Sequence, residues 1–162
     1  MEEKISSLDL IEQGEISGRK ALEILDNGEY LYHGSSFKVE ELEPRQAYNW
    51  STGEKMPDGD PVVFATDNYE RAIFMAVLKE LQGTHGTSIE KDEKTCHFRI
   101  DKRKAEQLKE RPDVSGYVMV LPKKSFTKKG GDYRSKIAVS PQFCIKVTKE
   151  DLPENIEIIE DK

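Results

Sequence analysis

Apolar and polar residues are arranged along the chain in patterns that predict three helices. The first begins after Ser17, a residue type that caps helix N-termini, and stops at Asn27-Gly28. The second begins near Asp67 with the spacing of a capping box and continues to about Leu81. It is apolar on most sides, which predicts packing against a sheet. The third is a charged helix from Lys102 to Glu110, because the Arg-Pro pair that follows would stop it.

Short apolar runs bounded by turn residues predict the strands. These runs lie at residues 30–33, 37–42, 61–66, 95–100, 117–121, 135–140 and 142–147. A turn is predicted at Lys128 to Asp132, between the fifth and sixth runs. Residues 44–60 are rich in Asn, Ser, Gly, Asp and Pro, which predicts a long loop that acts as a lid or binding loop. Because helices and strands do not alternate regularly, the order predicts an α+β fold and not a doubly wound sheet.

The predicted domain organisation is a single domain over residues 17–162. The sequence contains no internal repeat and no low-complexity linker long enough to separate two domains. Residues 1–16 hold a few apolar side chains among acidic ones, which predicts a peripheral helix or a partly ordered arm. At 162 residues the chain has about the length of one ordinary domain.

Composition predicts a folded domain with a heavily solvated surface, since 36% of the residues are hydrophobic and 35% are charged. The formal net charge of -6 argues against a general affinity for phosphate backbones, because such binding needs a basic field. Basic residues nevertheless cluster around Asp132; they are Lys123, Lys124, Lys128, Lys129, Arg134 and Lys136. We favour a solvated hairpin with an edge protected by lysines over an acceptor-binding or nucleic-acid patch.

The cysteines and the N-terminus predict a cytoplasmic protein. Cys96 and Cys144 each lie in a strand-like apolar run and are expected to be buried free thiols of a reducing compartment. No apolar stretch approaches the length of a membrane span, and the first four residues lack the apolar segment of a signal peptide. His85 and His97 have no spacing that suits zinc, so we expect no metal site and no membrane partner.

The tract Tyr32-His33-Gly34-Ser35 combines features typical of a ligand-binding site. A single histidine at a strand end is weakly informative, but this one precedes a glycine, whose lack of a side chain lets the backbone approach a ligand. About thirty residues further on, the apolar run at 62–66 (VVFAT) leads into a helix that begins with the segment 71–74 (RAIF).

Together these motifs resemble the ADP-ribosyltransferase superfamily, and its poly(ADP-ribose) polymerase and RNA 2′-phosphotransferase branches more than its cholera-toxin branch. The first is similar to the family's aromatic-His-Gly-Ser/Thr signature, and the second to its hydrophobic strand ending in Phe-Ala and the start of the next helix. Residues 140–147 (SPQFCIKV) resemble the strand that bears the family's last catalytic position. The resemblance covers residues 30–147 and implies split antiparallel β-sheets with flanking helices, and NAD as a substrate.

The resemblance also implies roles for particular residues. Cleavage of the nicotinamide–ribose bond passes through a cationic ribose, so the site must hold the nicotinamide, orient the ribose and stabilise positive charge. His33 would hydrogen-bond a ribose hydroxyl, and Gly34 would clamp the carboxamide through its main-chain N–H and C=O. Phe74 would stack on the nicotinamide ring, with Ser35 or Arg71 near the amide. The residues assigned to NAD binding are Tyr32, His33, Gly34, Ser35, Arg45, Ala65, Arg71 and Phe74.

Three residues of the long loop have two interpretations each. Arg45 could grip the pyrophosphate by bidentate hydrogen bonds, or be a surface arginine without a partner. Tyr48 and Trp50 could close over the adenine or the acceptor, or pin the loop to the body of the domain.

Two residues depart from the pattern of the chain-forming relatives, in which a tyrosine stands in place of Val63 and a glutamate in place of Gln142. Glutamine can hydrogen-bond a ribose hydroxyl, but it cannot act as a base or carry negative charge. We therefore expect His33 and Gln142 to transfer a single ADP-ribose from NAD to a protein, nucleic-acid or small-molecule acceptor. The alternatives are a non-catalytic ligand- or partner-binding module on the same fold and an RNA 2′-phosphotransferase-like enzyme. The arginines that could hold phosphates in the latter are Arg45, Arg71 and Arg134.

Overall fold

A computed structural model describes residues 16–46, 48–49, 53–57, 60–91, 95–129 and 132–159. These residues contain helices α1 (Gly18–Leu25), α2 (Tyr69–Leu78) and α3 (Lys102–Glu110). Residues 1–15 of the predicted arm, Trp50, and the two glycines of the predicted turn near Asp132 lie outside the described residues.

Each helix begins at a side chain that accepts a hydrogen bond from a main-chain N–H of its first turn. Ser17 has this role in α1, as predicted, and α1 ends close to the predicted Asn27-Gly28 signal. Asn68 has it in α2, so the cap lies one residue after Asp67. Asp101 has it in α3, which spans the predicted residues. Local capping chemistry therefore sets where all three of these helices begin.

The strands found in the described parts of the chain are mostly short. They are β1 (Tyr30–Ser35), β2 (Tyr48–Asn49), β3 (Met56–Pro57), β4 (Val63–Ala65), β5 (His85–Ile89), β6 (Cys96–Asp101), β7 (Ser115–Pro122), β8 (Thr127–Lys129), β9 (Asp132–Ser135), β10 (Phe143–Thr148) and β11 (Ile156–Ile159). Single 3-10 turns lie at Lys123–Ser125 and Lys149–Asp151.

The strands form separate small sheets. One antiparallel sheet has the order β1-β7-β10, and a second has the order β4-β9-β8. In a third, β6 lies between β5 and β11 and pairs with β11 in parallel. Strands β2 and β3 pair only with each other. The chain therefore has an α+β fold with mostly antiparallel sheets, as the irregular order of elements predicted.

The sheet β1-β7-β10 has a buried core on each of its faces, because successive side chains of a strand point to opposite faces. Leu31, Met119 and Leu121 pack on one face against the sheet that contains β4 and β9. Tyr32 and Val118 pack on the other face against helices α1 and α2. The fully buried residues of β1 and β7 thus hold the helices and the second sheet on either side of one central sheet.

Helix α2 crosses the central sheet at two glycines, Gly34 on β1 and Gly116 on β7. A Cβ atom at Gly34 would collide with the carbonyl oxygen of Ala72, and one at Gly116 would collide with that of Ala76. Both collisions would be with helix backbone, which cannot move aside as a flexible side chain can. The missing side chains therefore set the distance between helix and sheet, which is a purpose of Gly34 that the sequence motif did not suggest.

Several predicted strand boundaries were wrong. Residues 37–42 form no strand, and only Leu42 bridges to Val139. The strand predicted at 135–140 lies earlier, at β9. Strand β5 occupies a segment that was predicted to be a polar loop. The sequence did not reveal this strand because its half-exposed residues lie at a sheet edge and lack an apolar pattern. The glycines of the predicted turn lie outside the described residues, and the residues on either side of them, Lys129 and Asp132, pair with each other.

Neither cysteine lies in the deep core. Cys96 and Cys144 are half-buried and unbonded to each other, and burial raises the pKa of both thiols. Within the described residues, none of the helices has both the length and the apolar character needed to cross a lipid bilayer.

We predict that Gly116→Ala destabilises the fold by about 1–3 kcal/mol, because the added methyl group would overpack against the backbone of α2. The change should lower the denaturant midpoint of unfolding. Gly86→Ala is the matched control, since Gly86 also lies in a strand but has no atom within 4 Å of the added Cβ. Equal midpoints for the two variants would show that the helix does not depend on this close approach.

Candidate functional site

Two neighbouring cavities lie where strands β1 and β4 separate. The first has a volume of about 410 Å³ and is bounded by β1, β4, α2 and β5. The second has a volume of about 360 Å³ and lies between β1, β4 and the segment 39–46. Both are lined by His33 and Phe64, which form the partition between them. The two cavities therefore make one cleft in two parts, with the predicted histidine at its centre.

The main chain of Gly34 faces the first cavity. Tyr32 exchanges both of its main-chain hydrogen bonds with Thr66, at 2.8 and 2.9 Å, so its polar groups point away from β7. This direction repeats at every second residue of an antiparallel strand, so the N–H and C=O of Gly34 point the same way. Beyond this bridge β4 pairs with β9, and the gap left beside Gly34 belongs to the cavity. A donor and an acceptor thus lie side by side in its wall.

The protonation state of His33 follows from its partner. Its Nδ1 lies 2.8 Å from the carbonyl oxygen of Phe64. A carbonyl oxygen can only accept, so Nδ1 carries the proton and Nε2 offers a lone pair. Burial has the largest effect and lowers the pKa of His33; the hydrogen bond to Phe64 acts in the opposite direction, and the charges of Lys79 and Arg45 lower the pKa further. The ring is therefore neutral at pH 7 and can accept a hydrogen bond from a ligand hydroxyl.

An ion pair crosses the wall of the first cavity. Arg71 of α2 donates from Nε to the hydroxyl of Thr87, at 2.9 Å, and from Nη1 to Oδ1 of Asp132, at 3.2 Å. The Asp132 side chain is still 40% exposed, so the carboxylate remains accessible to a ligand. Among the described lining residues of this cavity Asp132 is the one carboxylate. The sequence had suggested the uncharged Gln142 as the catalytic partner of His33. Asp132 instead supplies a negative charge to the cavity that His33 lines.

The second cavity has both basic and acidic groups in its wall. Arg45 lines it, held by paired main-chain hydrogen bonds of 3.1 and 3.2 Å to Val62. Lys79 lies in the same lining, as do the carboxylates of Glu41 and Glu43. Ser35 also lines this cavity rather than the first. The cavity can therefore hold an anionic group near Arg45 and hydroxyl groups near the glutamates.

The structure brings together most, but not all, of the predicted NAD-binding residues. Those that line the first cavity are Tyr32, His33, Gly34, Ala65 and Arg71; those that line the second are His33, Ser35 and Arg45. Phe74 does not line either of them. Its side chain is fully buried, with its ring centroid 5.1 Å from that of Phe98, because it lies on the face of α2 that packs on β6. Stacking on a ligand is open instead to Phe64, whose side chain is 37% exposed.

Gln142 lies apart from His33. It lines a separate cavity with Lys123 and Lys124, and its main-chain N–H bonds to the carbonyl of Val120. The strand register explains the separation: His33 and Cys144 both pair with Met119, so the residue level with His33 is two positions after Gln142. The predicted catalytic pair of His33 and Gln142 is therefore not assembled in this structure.

Sequence reasoning missed several lining residues of the first cavity, and four of them bear on its chemistry: Phe64, His85, Thr87 and Asp132. Phe64 lies inside the recognised apolar run, and its carbonyl and exposed ring were the overlooked features. His85 and Thr87 lie on the edge strand that was predicted to be a loop. Asp132 was treated only as the one acid in a basic cluster, and its place in the cavity depends on the pairing of β9 with β4.

No protein-family model, curated protein or solved structure matches this chain. Within the described residues, no group of three or more histidine, cysteine, aspartate or glutamate side chains could hold a metal ion. The groups that the cleft offers to a ligand include a main-chain donor and acceptor at Gly34, a neutral imidazole at His33, a carboxylate at Asp132 and a guanidinium at Arg45.

We predict that the ¹⁵N spectrum of His33 shows the Nδ1-protonated tautomer at pH 7 and a pKa below the ordinary value of 6.5. Because the unfolded chain then binds more protons than the folded one, the free energy of unfolding should fall as the pH drops below about 6.5. His33→Asn should reduce that fall, as measured by denaturant unfolding at pH 7.5 and 5.5. A titration midpoint at or above 6.5 would contradict the burial argument.

Proposed function

We propose that the cleft binds NAD and that the protein transfers a single ADP-ribose from it to an acceptor. The observation that carries this proposal is the position of Gly34 in the wall of the first cavity, next to His33, which lines both cavities. A carboxamide needs one donor and one acceptor side by side, and the main chain of Gly34 offers both to the first cavity. The neutral Nε2 of His33 is the acceptor for a ribose hydroxyl at the partition.

The two cavities divide the dinucleotide between them. The nicotinamide occupies the first, where Ala65, Ala72 and Met75 supply apolar surface. The pyrophosphate passes into the second, where Arg45 and Lys79 can bind its oxygens. The ribose next to the nicotinamide then lies at the partition beside His33.

The reaction breaks the bond between the ribose anomeric carbon and the pyridinium nitrogen. The electron pair of that bond goes to the nicotinamide, and positive charge develops on the ribose before a nucleophile of the acceptor attacks and loses its proton. A fixed carboxylate stabilises such a charge, and Asp132 is the candidate for it in the first cavity. In this proposal Asp132 replaces Gln142, which lies elsewhere. We place the reaction in the cytoplasm, where the two thiols would stay reduced.

The positions of the arginines support RNA 2′-phosphotransfer less than they support ADP-ribose transfer from NAD. Arg71 is paired with Asp132 in the first cavity, and Arg45 lies in the second. The Arg134 guanidinium lies over the Phe64 ring, 5.1 Å from its centroid. A phosphate group bound by several convergent arginines would need these side chains to meet in one place.

Calorimetry tests the division of the ligand. We expect the wild type to bind NAD, ADP-ribose and nicotinamide, and Arg45→Met to weaken NAD and ADP-ribose binding by about tenfold or more, because a charge-assisted hydrogen bond is lost. Nicotinamide binding should stay unchanged, since it occupies the other cavity. Arg111→Met, at the exposed end of α3, is the control and should bind all three ligands normally. If the wild type binds none of them, the proposal is wrong.

Asp132→Asn tests the reaction. This variant keeps the size and a hydrogen-bond acceptor but removes the charge, so nicotinamide release from NAD should fall by about 100-fold while NAD still binds. Gln142→Leu should leave the rate unchanged, because Gln142 lines neither part of the cleft. Release is measured chromatographically, and transfer by mass spectrometry after incubation with labelled NAD and cell lysate. NAD binding without any release by the wild type would identify a non-catalytic binding module.

A further inference from the structure

A buried lysine lies behind the first cavity. Lys104, in the first turn of α3, is only 1% exposed, and burial lowers its pKa. Its Nζ donates a 3.1 Å hydrogen bond to the carbonyl oxygen of Leu78. That carbonyl is the last of α2, where the helix dipole favours a positive charge. The Nζ atom of Lys104 also lies within hydrogen-bond distance of Nδ1 of His85. A lysine amine is rarely buried to this extent without a specific partner.

The lysine fixes the tautomer of His85. An ammonium group can only donate, so Nδ1 of His85 must accept, and the ring proton must then lie on Nε2. Burial and, after it, the charge of Lys104 lower the pKa of His85, whereas Asp101 acts weakly in the opposite direction. His85 is therefore neutral and, unlike His33, a donor through Nε2.

The position of the ring leaves this donor for the cavity. His85 lines the first cavity, and its ring packs edge-on against Phe74 at a centroid distance of 5.7 Å. With Nδ1 turned to the buried Lys104, Nε2–H is the polar group of the ring that remains for a ligand. The hydrogen bond described for the His85 ring is the one at Nδ1.

The surroundings define which ligand group the donor fits. The Arg71–Asp132 ion pair balances its own charge within the cavity lining, and Asp101 balances part of the charge of Lys104. Apolar atoms of Ala65 and Met75 supply the rest of the wall. An uncharged carbonyl oxygen on a flat ring therefore fits better than a carboxylate or a phosphate.

We propose that His85 is a ligand-binding residue that donates a second hydrogen bond to the carboxamide oxygen of nicotinamide, and that Lys104 is a positioning residue that holds His85 in the donor tautomer. The inference rests on the proposed NAD function. It adds to that function a side-chain donor opposite the main-chain clamp of Gly34.

Two readouts test the inference, one of which needs no ligand. In the free protein, ¹⁵N spectra should show His85 with the proton on Nε2, and Lys104→Met should mix the tautomers and raise the pKa of His85. With ligand, His85→Phe should weaken nicotinamide binding about tenfold and leave ADP-ribose binding unchanged, since ADP-ribose lacks the carboxamide. Lys104→Met should also weaken nicotinamide binding and leave ADP-ribose binding unchanged, but by a smaller factor. If His85→Phe does not fold, the Lys104→Met variant provides the binding test in its place.

His97→Phe is the matched control, because His97 is exposed on β6 and lies outside both cavities. It should leave the binding of both ligands unchanged. Equal nicotinamide affinities of the wild type and His85→Phe, or an Nδ1-protonated His85 in the free protein, would overturn the inference while leaving NAD binding in place. Failure of the wild type to bind NAD and nicotinamide at all would instead overturn the proposed function and this inference together.

Discussion

The close contact between helix α2 and the glycines of the central sheet is the constraint on which the rest of the structure depends. It brings helix backbone against β1 and β7, at a distance that no side chain would allow. The same helix carries Arg71 near its start and presents the Leu78 carbonyl at its end. One packing contact therefore places both the ion pair of the first cavity and the acceptor that holds Lys104.

Gly34 has two purposes that are normally separate. Its missing side chain admits the helix, while its main-chain groups face the gap between β1 and β4. These directions are perpendicular, since side chains leave a sheet through its faces and hydrogen bonds leave through its edges. In the proposed NAD site few specialised side chains are needed, because the backbone of a rigid strand would supply part of the recognition.

Local signals in the sequence predicted local features well. Ser17 and the Lys102–Glu110 pattern defined helices because capping and composition act within one turn, and residues of the motif around His33 line the two cavities. The position of Phe74 and Gln142 outside the two cavities has a different origin. Whether a residue faces the core or a cavity depends on the face of a helix and on strand register, which here separates Gln142 from the level of His33 by two positions. Asp132 enters the cavity only through the pairing of β9 with β4, a contact between segments distant in the chain that one sequence does not reveal.

The burial of Lys104 has a consequence for how the protein can change over time. Placing an amine in the interior costs stability, and an apolar side chain of similar length at such a position is often neutral or stabilising. A lineage selected only for robustness would therefore be expected to lose this lysine, whereas one selected for ligand discrimination would keep it. The residue found at position 104 in descendants of this protein would thus record which of the two demands prevailed.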